Sequence, residues 1–154
     1  MPHIHEIIDF CVSAFIVHEG KVLLIYHKKL QKWLAVGGHI ELDEDPDQAL
    51  FREMQEESGL EPSELEVLSD KLGLTSPGTK FLYKPQHVEI HEISDTHKHT
   101  TLIYYVKAKT DRIKLAEAEH DQIRWFSCQD IDDPAYDLMP SVRFYCLEAL
   151  ESAR

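Results

Sequence analysis

Basic residues are scarce in this chain: 16 lysines and arginines stand against 28 aspartates and glutamates, a formal net charge of -12 at pH 7. That balance excludes a long electrostatic footprint on a nucleic-acid polymer, where neutralisation of phosphates by Lys and Arg dominates affinity. It leaves a small phosphorylated molecule open, because a divalent cation held by carboxylates reverses the local sign of charge. Cysteines are few and scattered. Cys11, Cys128 and Cys146 form no CxxC pair, so neither a cysteine zinc site nor a disulfide framework is expected, and free thiols in a reducing cytoplasm fit best. No window approaches 18 apolar residues, and the opening MPHIHEIIDF lacks the basic start and apolar run of a signal peptide. The expectation is a soluble cytoplasmic protein with no membrane partner, monomer or homodimer. The ten histidines form no clustered tract and are not read as a metal store. Repeats and low-complexity segments are absent. With 154 residues and 43% hydrophobic content, residues 1–154 should form a single domain able to bury its own core.

What is present begins with two apolar, β-branched runs, Phe10 to Val17 and Val22 to Tyr26, separated by a polar stretch holding Gly20. They predict adjacent antiparallel strands joined by a tight turn. A short run from Trp33 to Val36 leads into Gly37-Gly38, where a strand should give way to a loop. Helix signals follow. Asp45 suits an N-cap, Pro46 the first helical position and Gln48 the reciprocal end of a capping box, while Gly59 reads as a stop. A helix from about Pro46 to Ser58 is expected. Downstream, Leu65 to Leu68, His87 to Ile93, Thr101 to Ala108 and Gln122 to Phe126 read as strands, Thr75 to Gln86 as a mobile loop, and Ser141 to Glu151 as a closing helix.

On a helical wheel with Ala49 at zero, Glu53 falls near 40°, Glu56 near 340° and Glu57 near 80°, at roughly 100° per residue. Leu50, Phe51 and Met54 fall on the other side as a core stripe. Ala49, being small, lies amid the carboxylates and leaves space above them. Like charges at i,i+3 and i,i+4 repel by a few tenths of a kcal/mol per exposed pair, and a bound cation removes that penalty. By itself, such a face is more simply a solvated acidic surface. Oxygen ligands select hard ions, so Mg²⁺ is the default cofactor and Mn²⁺ a plausible substitute. Arg52 lies beside Glu56, and its planar fork can reach back to Glu44, orienting carboxylates more than binding substrate.

The stretch GHIELDEDPDQALFREMQEESGL reads Gly38, five residues, Glu44, seven residues, Arg52-Glu53-Met54, Gln55, Glu56-Glu57, Ser58, Gly59-Leu60. It resembles the complete signature of the Nudix (MutT-related) hydrolases, and the spacing of Gly38, Glu44, Arg52 and Gly59 tips the acidic helix from solvated face to metal site. The resemblance implies an α+β fold, a mixed β-sheet sandwiched between α-helices, and metal-dependent cleavage of a diphosphate linkage in a nucleoside diphosphate joined to another moiety. It further implies that Glu53, Glu56 and Glu57 bind metal with the Gly38 carbonyl, and that Glu44 and Arg52 orient them. The general base varies among such enzymes. Glu119, six residues before Trp125, matches a loop carboxylate of some MutT-like members and ranks level with Glu53, ahead of His120. Val36 departs from the proline that many relatives carry before the glycine pair.

Other candidates are less specific. His97 and His99, preceding a strand that by resemblance faces the substrate cleft, are candidate contacts to base or phosphate; the plainer reading is a pair of exposed polar residues. His27, Lys28 and Lys29 could meet phosphate oxygens as point charges. Trp33 is placed as a wall of the cleft, whereas His39 is read as structural and Trp125 and Phe126 as core or rim. Two rivals share the fold: a sensor that binds a nucleotide or sugar-nucleotide without turnover, and an isopentenyl diphosphate isomerase, whose extra catalytic cysteine and glutamate have no convincing counterpart.

Overall fold

The computed structural model describes residues 3–118 and 120–154. Strand β1 (Ile8–His18) turns through Glu19 and Gly20 into β2 (Lys21–His27). Both turn residues have positive φ, 44° and 75°, the two-residue hairpin geometry whose twist matches the flanking strands. Short strands β3 (Lys32–Leu34) and β4 (Val36–His39) precede helix α1 (Pro46–Ser58). The helix has the expected caps: Asp45 and Gln48 form a reciprocal capping box, and Gly59, at φ 75°, donates its N–H to Gln55 O from the left-handed region. After β5 (Leu65–Val67) come β6 (His87–Ser94), β7 (His97–Ala108), β8 (His120–Phe126), the short α2 (Cys128–Asp132) and α3 (Pro140–Ser152).

The strands form one mixed sheet, β3-β2-β1-β7-β5, with β4 also paired to β1, β6 to β7 and β8 to β2. Parallel pairing of β1 with β7, from Ile8↔Lys98 to Val17↔Lys107, is its spine. One edge of β1 is divided: its last residues pair with β2, at Val17↔Val22 and His18↔Lys21, and its middle pairs with β4, from Cys11↔His39 to Ala14↔Val36. Both faces are covered, which explains the near-continuous apolar character of β1, β2 and β7. Val12, Ala14, Ile16, Leu23, Ile25, Tyr104 and Val106 pack with Ala49, Leu50 and Met54 of α1. Their alternate neighbours Phe15, Val17, Val22, Leu24, Ile103 and Tyr105 pack with Val142, Cys146 and Ala149 of α3.

Several details differ from the sequence reading. Gly37 and Gly38 lie inside β4 rather than in a loop, because β1 has a free edge to pair them. Ala49 belongs to the core beneath α1, not to the space above the carboxylates. Trp33 is buried, stacking edge-on against Phe126 at 4.8 Å and Tyr26 at 5.3 Å, so it is a core residue and not a cleft wall. Strand β7 starts earlier than expected and takes in His97 and His99. Residues 75 to 86 carry no helix or strand, yet they are tied to the start of α1: Lys80 Nζ donates to Asp45 at 2.6 Å and the Tyr83 amide to Asp47 at 3.2 Å.

Candidate active site

The carboxylates of α1 meet β4 where the strand has no side chains. A Cβ at Gly37 would overlap the Val12 carbonyl, and one at Gly38 would overlap the Glu53 carboxylate. The glycine pair therefore sets how closely the helix can approach the sheet. Glu53 and Glu57 consequently sit almost out of solvent, 1% and 3% exposed, whereas the Glu56 side chain is 60% exposed. What reads in sequence as one acidic face is two buried carboxylates and one open one.

Arg52 organises three of the four acidic groups. Its Nε and Nη2 donate to both oxygens of Glu44 at 3.0 and 2.6 Å, and Nη1 donates to Glu53 at 2.9 Å and Glu56 at 3.2 Å. Nη2 also reaches the His39 carbonyl at 2.9 Å, tying the end of β4 to the helix. The guanidinium hydrogen bonds hold the Glu44 carboxyl below the usual range, and Glu44 in turn raises the Arg52 guanidinium. Glu57 is held separately. Its Oε1 accepts from the Gly37 amide at 2.6 Å, and its Oε2 meets Nε2 of the buried His120.

Burial, reinforced by the charge of Glu57 one turn away, pushes the Glu53 carboxyl up to about 8, even with Arg52 beside it. Two buried carboxylates on successive turns, fixed by amide, guanidinium and imidazole donors, fit a divalent cation: the donors are hard oxygens, and the cation offsets the repulsion that raises Glu53.

The remaining sequence candidates divide by location. His27, at the end of β2, packs near His120 with ring centroids 5.6 Å apart, because β2 and β8 pair there across a bulge. Lys28 donates to the Glu117 carbonyl in the loop before β8. Glu119 lies outside the described residues. His97 is buried, and His99 is near His39, at the start of β7 with Asp9 as a common neighbour. Sequence reasoning ranked His120 only as a lesser base; its contact with Glu57, 63 residues away, has no local signal in the chain.

A carboxylate-bearing helix buttressed by a glycine strand defines the class, and comparison with known proteins gives it a family. The chain belongs to the NUDIX domain family, whose model matches residues 9–147. A NUDIX-family hydrolase from Clostridium perfringens superposes with a TM-score of 0.80 at 30% identity, covering 95% of this chain and 98% of that one. A MutT NUDIX hydrolase from Burkholderia pseudomallei, at 22% identity and TM-score 0.65 over 97% and 100% of the two chains, shares the fold. Among curated sequences, the Escherichia coli CTP pyrophosphohydrolase is 29% identical over 112 residues, 70% of this chain and 83% of that protein. The Methylococcus capsulatus RNA pyrophosphohydrolase is 40% identical over 55 residues, 36% of this chain and only 29% of its own length.

Proposed function

We propose that the chain is a pyrophosphohydrolase that uses Mg²⁺, with Mn²⁺ as a substitute, to hydrolyse the diphosphate linkage of a small nucleoside diphosphate derivative. One observation carries this reading: Arg52 gathers Glu44, Glu53 and Glu56 while Gly37 and His120 fix Glu57, so the carboxylates are preorganised around the place a cation must occupy. Glu53, Glu56, Glu57 and the Gly38 carbonyl would hold it. When bound, the ion neutralises the diphosphate and lowers the pKa of an attacking water. Glu44 and Arg52 keep the carboxylates in register without touching substrate. Glu53 or Glu119 takes the proton from water. His27 and Lys28, on the same β2–β8 side as His120, are candidate contacts for phosphate oxygens. Trp33 has no place in this set.

Nucleoside triphosphates are the first substrates to assay, supported by the CTP pyrophosphohydrolase similarity across most of the chain. ADP-ribose, dinucleoside polyphosphates, sugar nucleotides and a 5′-triphosphorylated RNA complete the set, each with Mg²⁺ and with Mn²⁺. We expect turnover of at least one small molecule, no preference for the RNA, and a loss of at least about 100-fold in kcat/KM for Glu57→Gln. Turnover that survives Glu57→Gln would overturn the metal assignment, and tight nucleotide binding without turnover would favour a sensor. Glu119→Gln separates the two candidate bases: a large fall in kcat with metal affinity kept assigns the role to Glu119, and unchanged kinetics returns it to Glu53.

A further inference from the structure

A second group of ionisable side chains lies where β1, β4 and β7 come together. The segment before β1 folds back so that the amides of Ile4 and His5 donate to Asp9 Oδ1 at 3.1 and 2.6 Å. Asp9 is fully buried. Its other oxygen, Oδ2, is met by three imidazole nitrogens: Nδ1 of His3 at 3.2 Å, Nε2 of His39 at 3.1 Å and Nε2 of His97 at 3.1 Å. The ring of His99, whose residue pairs with Asp9 across β1 and β7, brings its Nε2 within 3.3 Å of the His39 Nε2.

Proton counting shows what this crowd lacks. Nδ1 of His97 lies 3.0 Å from the Glu6 carbonyl, an oxygen that can only accept, so Nδ1 carries the ring's hydrogen. In a neutral ring, Nε2 is then a bare lone pair, and it faces a carboxylate oxygen. Two lone pairs at 3.1 Å repel unless a positive centre lies between them. A proton on His97 would relieve that contact; a metal ion held by Asp9 Oδ2 and His97 Nε2 relieves it too, with donor atoms of His3 and His99 within 4.8 Å, and it turns the His97 Nδ1–H···O=C bond to Glu6 into the outer hydrogen bond that ligating histidines make.

The spacing fits as well. Ligands about 2.0–2.1 Å from a tetrahedral ion are about 3.3–3.4 Å apart, close to the 3.1 and 3.2 Å separations of Asp9 Oδ2 from His97 and His3. One donor atom each from His3, Asp9, His97 and His99 lies within 4.8 Å of all the others. Cys11, His39 and His99 form an overlapping set, but burial pushes the Cys11 thiol up to about 12, and a protonated thiol is a poor ligand.

We propose that His3, Asp9, His97 and His99 form a second cation site, distinct from the carboxylates of α1, that takes one Zn²⁺-class ion through imidazole nitrogens and a single carboxylate oxygen. The ligand chemistry separates the two sites, since nitrogen donors select borderline transition metals over Mg²⁺. It also joins them mechanically. His39 points its ring at Asp9 and offers its backbone carbonyl to Arg52, so an ion here clamps the N-terminal segment and braces the strand that leads into the active site.

The test is a Zn²⁺ titration of the full, untagged chain, stripped with chelator and then held in saturating Mg²⁺, followed by calorimetry and by thermal melting. We expect one Zn²⁺ per chain, a Zn²⁺-dependent rise in Tm, and a four-coordinate visible spectrum when Co²⁺ replaces Zn²⁺. Affinity should fall by about 100-fold or more in His97→Ala and in the half-exposed His3→Ala, a change too peripheral to endanger folding. Glu57→Gln should leave Zn²⁺ binding unchanged, whatever it does to turnover. Absence of a one-to-one ion in the wild-type chain would overturn the site. So would Zn²⁺ binding that Mg²⁺ or Glu57→Gln abolishes while His3→Ala and His97→Ala leave it intact.

Discussion

Two ionic clusters among the described residues meet the short strand β4, one through its glycines and the His39 carbonyl and the other through the His39 ring, and they balance charge differently. At the α1 end, repelling carboxylates share one guanidinium that donates to Glu44, Glu53, Glu56 and a backbone carbonyl. At the β7 end, one buried carboxylate oxygen is shared by the imidazoles of His3, His39 and His97. The first cluster is rich in carboxylate around one cationic organiser, whereas the second gathers imidazoles around a single anion, Asp9. Their donor atoms suit ions of different kinds: a hard one among oxygens and a borderline one among nitrogens.

Gly38→Ala should break that contrast most severely. The added methyl falls on the Glu53 carboxylate, so the first cluster must open; kcat/KM should drop by about two orders of magnitude or more, with Zn²⁺ binding at the second cluster retained. Steady-state kinetics beside the Zn²⁺ titration reads both. Next comes Arg52→Lys, which keeps one charge but loses the two-pronged contact with Glu44. A fall of about 10- to 100-fold in kcat/KM is expected, with weaker Mg²⁺ dependence of the rate; wild-type kinetics in this variant would remove Arg52 as organiser.

Asp9→Asn acts on the other cluster alone. Losing the shared anion should cost about 2–3 kcal/mol in urea denaturation, while kcat/KM changes by no more than a few-fold. A collapse of activity would show that the two clusters are not separable. The smallest effect concerns pH in the absence of metal. The Glu53 carboxyl is raised from 4.5 to about 8, so its protonated form favours the folded state. That contribution is fully present below the unfolded value and is lost as pH rises through about 8. Metal-free protein should therefore melt lower at about pH 8 than at about pH 5, Glu53→Gln should flatten the slope, and Mg²⁺ should restore stability at the higher pH. A slope identical in wild type and Glu53→Gln would assign the pH dependence elsewhere.

The active-site helix was legible in the sequence because its information is local. The stretch from Asp45 to Gly59 holds the caps, the i,i+3 and i,i+4 carboxylates, the core stripe and the arginine, so spacing alone placed Pro46 to Ser58 and the reach of Arg52 to Glu44. The hairpin and most strand positions were legible for the same reason. Depth was not. A helical wheel gives direction but not what stands opposite, so it could not show that Gly37 and Gly38 belong to a strand, that Ala49 is core, or that two of three glutamates are buried. Trp33 failed likewise, since its partners Phe126 and Tyr136 come from the other end of the chain.

The sequence by itself determined the family and the carboxylate helix, since those rest on residues within about one helix of one another. Only the tertiary structure decided which carboxylates are dry, that His120 secures Glu57, and that histidines dispersed along the chain converge. His97 and Asp9 lie 88 residues apart and meet only because β1 and β7 pair in parallel. Periodicity reports neighbours along one element, whereas that convergence is set by the register between two.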